Sequence, residues 1–282
     1  MSEFLIDLHQ QTFLQYALLT GILASIACGI IGSYVVSRRI TYIAGGIAHT
    51  VLAGLGAARY CQVVFHCDWL HPLYGAVVAA LIAAIVIGLV SLKARQREDT
   101  VIGAVWAIGM AIGILFIFKT PGYNEDLMSY LFGNILMVSA DELWLIAGLD
   151  ILVVTAGLLF YNQLLAVCFD EEFARLRGIN ADFYYLLLLC LTALTVVLLV
   201  TVVGIVMVIA LLTLPAAFAG QFSKRLWQMM LLSTIFTMGV TSSGLALSYG
   251  PDLPAGATTI LLAGAVYLAG IVLSRLLSAL RS

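Results

Sequence analysis

FYYLLLLCLTALTVVLLVTVVGIVMVIALLTLPAAFA, Phe183 to Ala219, runs for 37 residues without one charged side chain. As a single helix it would extend roughly 55 Å at 1.5 Å per residue, against a hydrocarbon core of about 30 Å. Such a helix would carry an oily surface far into water. The stretch therefore predicts two membrane crossings joined by a very tight turn around Thr201–Gly204, where a glycine follows β-branched residues and the helix is weakest. Working outward, further apolar runs fall near 13–36, 40–60, 73–92, 101–118, 143–167, 226–248 and 257–277. With the split stretch read as 183–200 and 202–219, the chain is an all-α, polytopic transmembrane bundle of about nine spans, eight if the long run stays whole.

The basic residues support the split. Nine crossings put Arg38, Arg39, Lys93, Arg95, Arg97, Arg175, Arg177, Lys224, Arg225, Arg275 and Arg281 on one side and only Arg59 and Lys119 on the other. An excess of Lys and Arg marks the cytoplasmic side, so the N-terminus is expected outside and the C-terminus inside. An eight-span count scrambles this segregation. MSEFLIDLHQ at the start has acids and no basic residue, unlike an export signal, so the first run is expected to be a retained span.

Composition agrees. Hydrophobic residues are 63% of the chain and charged residues 10%, where soluble domains carry roughly a quarter charged. One transmembrane domain, residues 1–282, accounts for the whole length and leaves no room for a soluble one. A net charge of −2 without a basic patch gives no footprint for nucleic acid. There is no G-x-x-x-x-G-K-[ST] phosphate loop, no H-E-x-x-H, and no nucleophile–base pair, so the chain is not read as an enzyme.

Against this background FDEEFARLRGI, Phe169 to Ile179, holds five of the chain's 28 Asp, Glu, Lys and Arg residues. On the sidedness above it is a cytoplasmic loop. Asp170 is placed to cap a short helix, Glu171 and Glu172 fill its first turn, Arg175 and Arg177 lie near its last, and Gly178 stops it. Phe169, Phe173 and Leu176 are spaced to share one face. A plain solvated connector explains the charges; their interleaving with an apolar face suits docking onto a partner better.

Five segments together resemble the membrane subunits of ABC importers for divalent metals, which include zinc and manganese permeases. They are RRITYIAGGIAHTVLAG (Arg38–Gly54), LMSYLFGNILMVS (Leu127–Ser139) with its Leu-Phe-Gly-Asn core, FDEEFARLRGI, VVGIVMVIALLTLPAAFA (Val202–Ala219) and GATTILLAGAVYLAG (Gly256–Gly270). The resemblance implies a permease fold like that of the vitamin B12 importer, in a bacterial plasma (inner) membrane. It implies a homodimer lining a central path for a divalent metal cation, with an extracytoplasmic metal-binding protein delivering the ion. It also implies a cytoplasmic ATP-binding subunit docked on residues 169–179, so that ATP is used by the partner and no cofactor is held by this chain. The sequence departs from the family in one place: many members read Gly-Asp-Ala-Leu-Ser-His before the histidine of the second span, and this chain reads AGGIAH, Ala44–His49. Gly45 stands where the Asp is expected, and Ala48 where the Ser is, which leaves the choice of metal open.

Candidate path residues follow from chemistry. His49 is ten residues into its span and Asp150 about seven into the fifth; ionisable groups at such depth face the bundle or a wet path rather than lipid. Each is either a metal contact or a structural polar group. CQVVFHCDWLHP, Cys61–Pro72, brings the donors His66, Asp68 and His71 beside Cys61 and Cys67, a set suited to zinc and its neighbours. The two cysteines alternatively form a disulfide on the oxidising side. Zinc is slightly favoured by these donors, with manganese and iron next. Glu125, Asp126, Asp141 and Glu142 make the same outer surface acidic, either attracting cations or merely solvating it. Gly204 and Pro215 are the candidate bending elements for gating, with a static kink at Pro215 as the alternative. The competing class is a secondary transporter driven by an ion or proton gradient, which often shows inverted repeats and paired interrupted helices; only one interruption is visible, and the charged loop has no role in it.

Overall fold

In the computed structural model, which describes residues 7–8, 10–67, 69–93, 97–121, 133, 135–251 and 253–279, the 37-residue run breaks at Gly204. Helix α8 (Ala181–Val203) ends there and α9 (Ile205–Phe222) begins, with Gly204 at φ +83° and ψ 161°. A side chain would clash in that region of backbone space, so glycine is required for the turn. The chain then returns. Tyr185 near the start of α8 bonds Glu98, whereas Val203 at its end lies against Gly133. Leu212 of α9 passes Gly32 of α1 (Thr12–Ser37), and the Ser37 hydroxyl meets the Met229 sulfur at 3.7 Å in the first turn of α10 (Leu226–Tyr249). Helix α9 thus runs back to the face from which α8 left.

The remaining long helices are α2 (Tyr42–Phe65), α3 (Pro72–Lys93), α4 (Glu98–Lys119), α5 (Ala140–Leu159) and α11 (Ala255–Ala279). Two short ones, α6 (Tyr161–Phe169) and α7 (Glu171–Leu176), follow α5. Eight of the described helices are long and apolar enough to cross a membrane; α2 is long enough, at about 36 Å, but carries Gly45, Gly46, His49 and Thr50. It has no need of a fully apolar surface, because α3 and α4 cover it on either side. The expected fifth run, 143–167, is two helices: the chain bends at Phe160 (φ −96°, ψ 20°).

Close packing rests on small residues, as in membrane bundles generally. Helices α2 and α4 are parallel neighbours: Ile102 lies over Gly46, and a Cβ on Gly109 would come within 2.7 Å of the Thr50 Cα. Local starts are set by caps. Ser139 and Glu142 form a reciprocal capping box at α5, Ser139 N–H donating to Glu142 at 2.8 Å. Glu142 therefore closes a helix end, with Asp141 beside it in the first turn of α5; Glu125 and Asp126 lie outside the described residues.

Candidate functional site

The charged segment folds as its residue types dictate. The Asp170 carboxylate accepts from Phe173 N–H at 2.9 Å, capping α7, and Glu171 and Glu172 sit where the helix dipole is positive. Gly178 at φ +77° ends it, with Gly178 N–H donating to Arg175 O and Ile179 N–H to Ala174 O, both at 3.0 Å. Ala174 is buried and holds α7 to the bundle, while Leu176 is 87% and Phe173 48% exposed. The Arg177 guanidinium lies 5.1 Å over the Phe173 ring. Phe169 is exposed too, but Asp170 is extended (φ −152°), so Phe169 ends α6 and does not share a continuous helical face with Phe173 and Leu176.

Glu171 accepts from Arg175 and from Arg38, each at 3.0 Å, and Arg175 also bridges to Asp182 at the start of α8. Burial raises the Glu171 pKa, but the hydrogen bonds and charges of Arg175 and Arg38 outweigh it and leave the carboxyl below its ordinary value. Arg38 is the inner member of this cluster, its side chain only 14% exposed. It donates to Val167 O at 2.6 Å, filling one of the carbonyls left open at the end of α6. It also lies 4.0 Å from Glu98 and stacks 4.6 Å over the Tyr185 ring. From sequence Arg38 marks sidedness and opens the Arg38–Gly54 segment; its four side-chain partners, Glu98, Val167, Glu171 and Tyr185, come from segments far apart in the chain, and no local pattern announces them.

His49 lies half-buried on α2. Its Nδ1 donates to Gly45 O at 2.8 Å, and its ring stacks on Trp106 of α4 at 4.3 Å and 24°. Because a carbonyl only accepts, the Nδ1 carries a proton, and the Nε2 is the ring nitrogen left to meet a hydrogen-bond partner or, as a lone pair, a metal ion. The Trp106 ring also covers Gly45, where a Cβ would sit 3.1 Å from Cζ3. Tryptophan thus fills the space that a side chain at 45 would use. Trp106 was not singled out from sequence; eight residues beyond Glu98, it looks like any lipid-facing aromatic.

Asp150 is buried, 5% exposed, on a different helix pair from His49. Its carboxyl lies beside the Ala27 backbone and the Cys28 thiol of α1, with Oδ1 lacking a hydrogen-bond partner among the described residues. In the outer loop, His66 caps α2 in a left-handed conformation (φ 54°), and the His71 Nδ1 accepts from Leu73 N–H at 3.3 Å. Cys61 and Cys67 are both free thiols, and Asp68 lies outside the described residues. Among those residues no three His, Cys, Asp or Glu side chains come together as a metal site. Pro215 is buried inside α9, which continues unbroken through it to Phe222, so the break in this region is at Gly204 rather than at the proline.

Fold and site together define a polytopic α-helical membrane protein that presents a capped, charged helix at one end of its bundle. The chain belongs to the ABC 3 transport family, whose model matches residues 10–274. It is 40% identical over 259 residues to a protein of Chlamydia trachomatis named "probable metal transport system membrane protein", covering 92% of this chain and 88% of that one. It is 34% identical over 267 residues to the manganese transport system membrane protein MntC of Halalkalibacterium halodurans, covering 95% and 89%. Among solved structures, PsaBC from Streptococcus pneumoniae in complex with Fab superposes with a TM-score of 0.83 at 31% identity, covering 95% of this chain and 94% of that one.

Proposed function

We propose that this chain is the permease subunit of an ATP-driven importer for a divalent transition-metal cation. Two copies form the path, α7 docks a cytoplasmic ATP-binding subunit, and an extracytoplasmic binding protein delivers the ion. The N-terminus then lies outside and the C-terminus inside. The observation that carries the reading is α7: a helix of six residues with Phe173 and Leu176 turned outward while Glu171 and Arg175 are tied to the bundle. A solvated connector has no reason to hold Phe173 and Leu176 in the open, because exposed apolar groups of that kind mark a docking surface.

The cargo is a first-row divalent cation such as manganese or zinc. The family match and the manganese and metal transport names of the relatives support that class, and His49 offers an imidazole nitrogen that suits such ions. Zinc over manganese rests only on the outer-loop donors, which are not gathered into one site among the described residues. Asp150, His66, Asp68 and His71 remain secondary candidates for contact with the ion, and Gly204 remains the candidate hinge.

The test is co-purification and transport. Wild-type permease, reconstituted with its ATP-binding subunit, should take up metal only with ATP present, and a panel of divalent ions identifies the cargo. Phe173→Asp should abolish co-purification. Uptake driven by an ion gradient without nucleotide would replace this reading with the secondary-transporter one.

A further inference from the structure

One cluster near α7 does more than hold that helix in place. Arg38 sits in the turn between α1 and α2, and that turn is short and stiff. Arg38 N–H donates to Tyr34 O at 2.9 Å, Arg39 takes the left-handed conformation (φ 63°), and Ile40 N–H returns to Val35 O at 3.1 Å. Four residues after Arg38, α2 begins. The guanidinium reaches from this turn to α6 through Val167, to α7 through Glu171, to the first residue of α4 through Glu98, and to α8 through the Tyr185 ring. Tyr185 closes the cluster by donating its hydroxyl to Glu98 at 3.0 Å.

Two ionic tethers connect α7 to the bundle, and they differ in kind. Arg175–Asp182 is half exposed on both sides, 51% and 49%, where water and salt weaken it. Glu171–Arg38 is 29% and 14% exposed, so its charge-assisted bond is screened less. A displacement of α7 is therefore carried inward chiefly by Arg38. The Arg38 Nε–H is also buried without a partner among the described residues, so the guanidinium is held on several sides but not saturated there.

What lies above the cluster gives the displacement a destination. His49 is seven residues beyond Tyr42 on α2, and Trp106 is eight beyond Glu98 on α4, about 10 Å and 12 Å along parallel helices. The two rings stack on each other at that level. Both helices start at the Arg38 cluster, and both carry one half of the stack.

We propose that Arg38 is the positioning residue through which α7 moves the His49–Trp106 pair. Pulling Glu171 draws the guanidinium, shifts the foot of α2 against that of α4, and changes the stacking that sets the orientation of the His49 ring and so the direction of its Nε2. The inference deepens the reading of α7 as a docking helix and rests on it.

The test uses the full complex with its ATP-binding subunit in lipid vesicles. Of the four tryptophans, Trp69, Trp144 and Trp227 are changed to Phe so that emission reports Trp106 alone. Nucleotide addition should shift that emission. Arg38→Gln should abolish the shift and lower metal moved per ATP by at least about fivefold, the low end of coupling between sites, while the ATP-binding subunit still co-purifies and hydrolyses ATP. Arg38→Lys keeps the charge but loses the fork and should fall between. Tyr185→Phe removes one hydroxyl, a change that any folded bundle tolerates, and should give a smaller loss of the same kind. A nucleotide-induced shift of wild-type size in both Arg38→Gln and Tyr185→Phe overturns the proposal, as does the lack of any shift in the Trp106-only protein. If the wild-type complex moves no metal with ATP, the transport reading fails; a Trp106 shift that still depends on Arg38 would keep the coupling inference standing without it.

Discussion

Helices α2 and α4 lie side by side and parallel, yet they are opposites. Helix α4 is almost wholly apolar and turns Ile108, Ile112, Ile114, Leu115 and Phe118 outward, with Val101, Ile102, Gly109 and Gly113 as its buried residues. Helix α2 carries glycines, a histidine and a threonine, is less apolar than the spanning helices, and is buried along most of its length. In water the oilier helix would be the inner one. Here lipid is the solvent, so the driving force to bury apolar surface is missing and helix position is decided by how closely backbones can approach. Small residues take the inside, and large apolar ones face hydrocarbon or another chain.

The strongest way to break this comparison is Gly109→Leu. Its Cβ would meet Thr50 backbone at 2.7 Å, where neither side can give, and overpacking of this kind costs about 3 kcal/mol or more. Thermal unfolding in detergent should fall sharply, whereas Ile108→Leu on the exposed side of α4 should leave it within about 0.5 kcal/mol. Wild-type stability for Gly109→Leu would mean that the two helices do not touch there.

His49→Ala comes next, read in transport rather than stability. Metal flux through the complex should drop about tenfold, a magnitude typical of losing a group that orients a metal. Unchanged flux and unchanged metal preference would make the histidine a structural partner of Trp106 and no more. Gly45→Asp sharpens the same point more gently. The new Cβ meets the edge of the Trp106 ring at 3.1 Å, so the ring must shift by a few tenths of an ångström at a cost of about 1 kcal/mol. Its readout is the order of preference among divalent ions, which should move toward ions favouring oxygen ligands. If the crowding is the cause, Gly45→Asp should cost less stability in a Trp106→Ala background than in the wild type.

The smallest effect concerns pH at the other end of the two helices. The Glu171 carboxyl is below its ordinary value in the folded protein because Arg175 and Arg38 outweigh burial. Its contribution is therefore complete above the usual carboxylate range and is lost as pH falls through the lowered folded value. The nucleotide-induced Trp106 shift, which Glu171 passes inward, should be flat at neutral pH and weaken only on strong acidification. Glu171→Gln should remove that acid dependence.

Much of this was legible before any coordinates. The turn at Gly204 follows from length and a glycine, and the cap, first turn and stop of α7 follow from Asp170, the two glutamates and Gly178, because helix termini are governed by residues within four positions. The bend at Phe160 was not legible, since a kink between two apolar segments leaves no mark in composition. The S-x-x-E pattern of Ser139 and Glu142 was legible as a capping box, but acidity at the membrane edge drew the reading toward cation attraction. His49 was found from its depth; the ring that stacks on it came from a helix 57 positions away.

Sequence by itself determined that this is a membrane bundle, where its helices turn, and that a small charged helix stands outside it, because hydropathy, glycine geometry and capping act over short distances along the chain. Only the tertiary structure decided that Arg38 joins that helix to the feet of α2 and α4, and that Trp106 takes the space beside Gly45. Those contacts link residues far apart in the chain, and packing geometry alone brings them together.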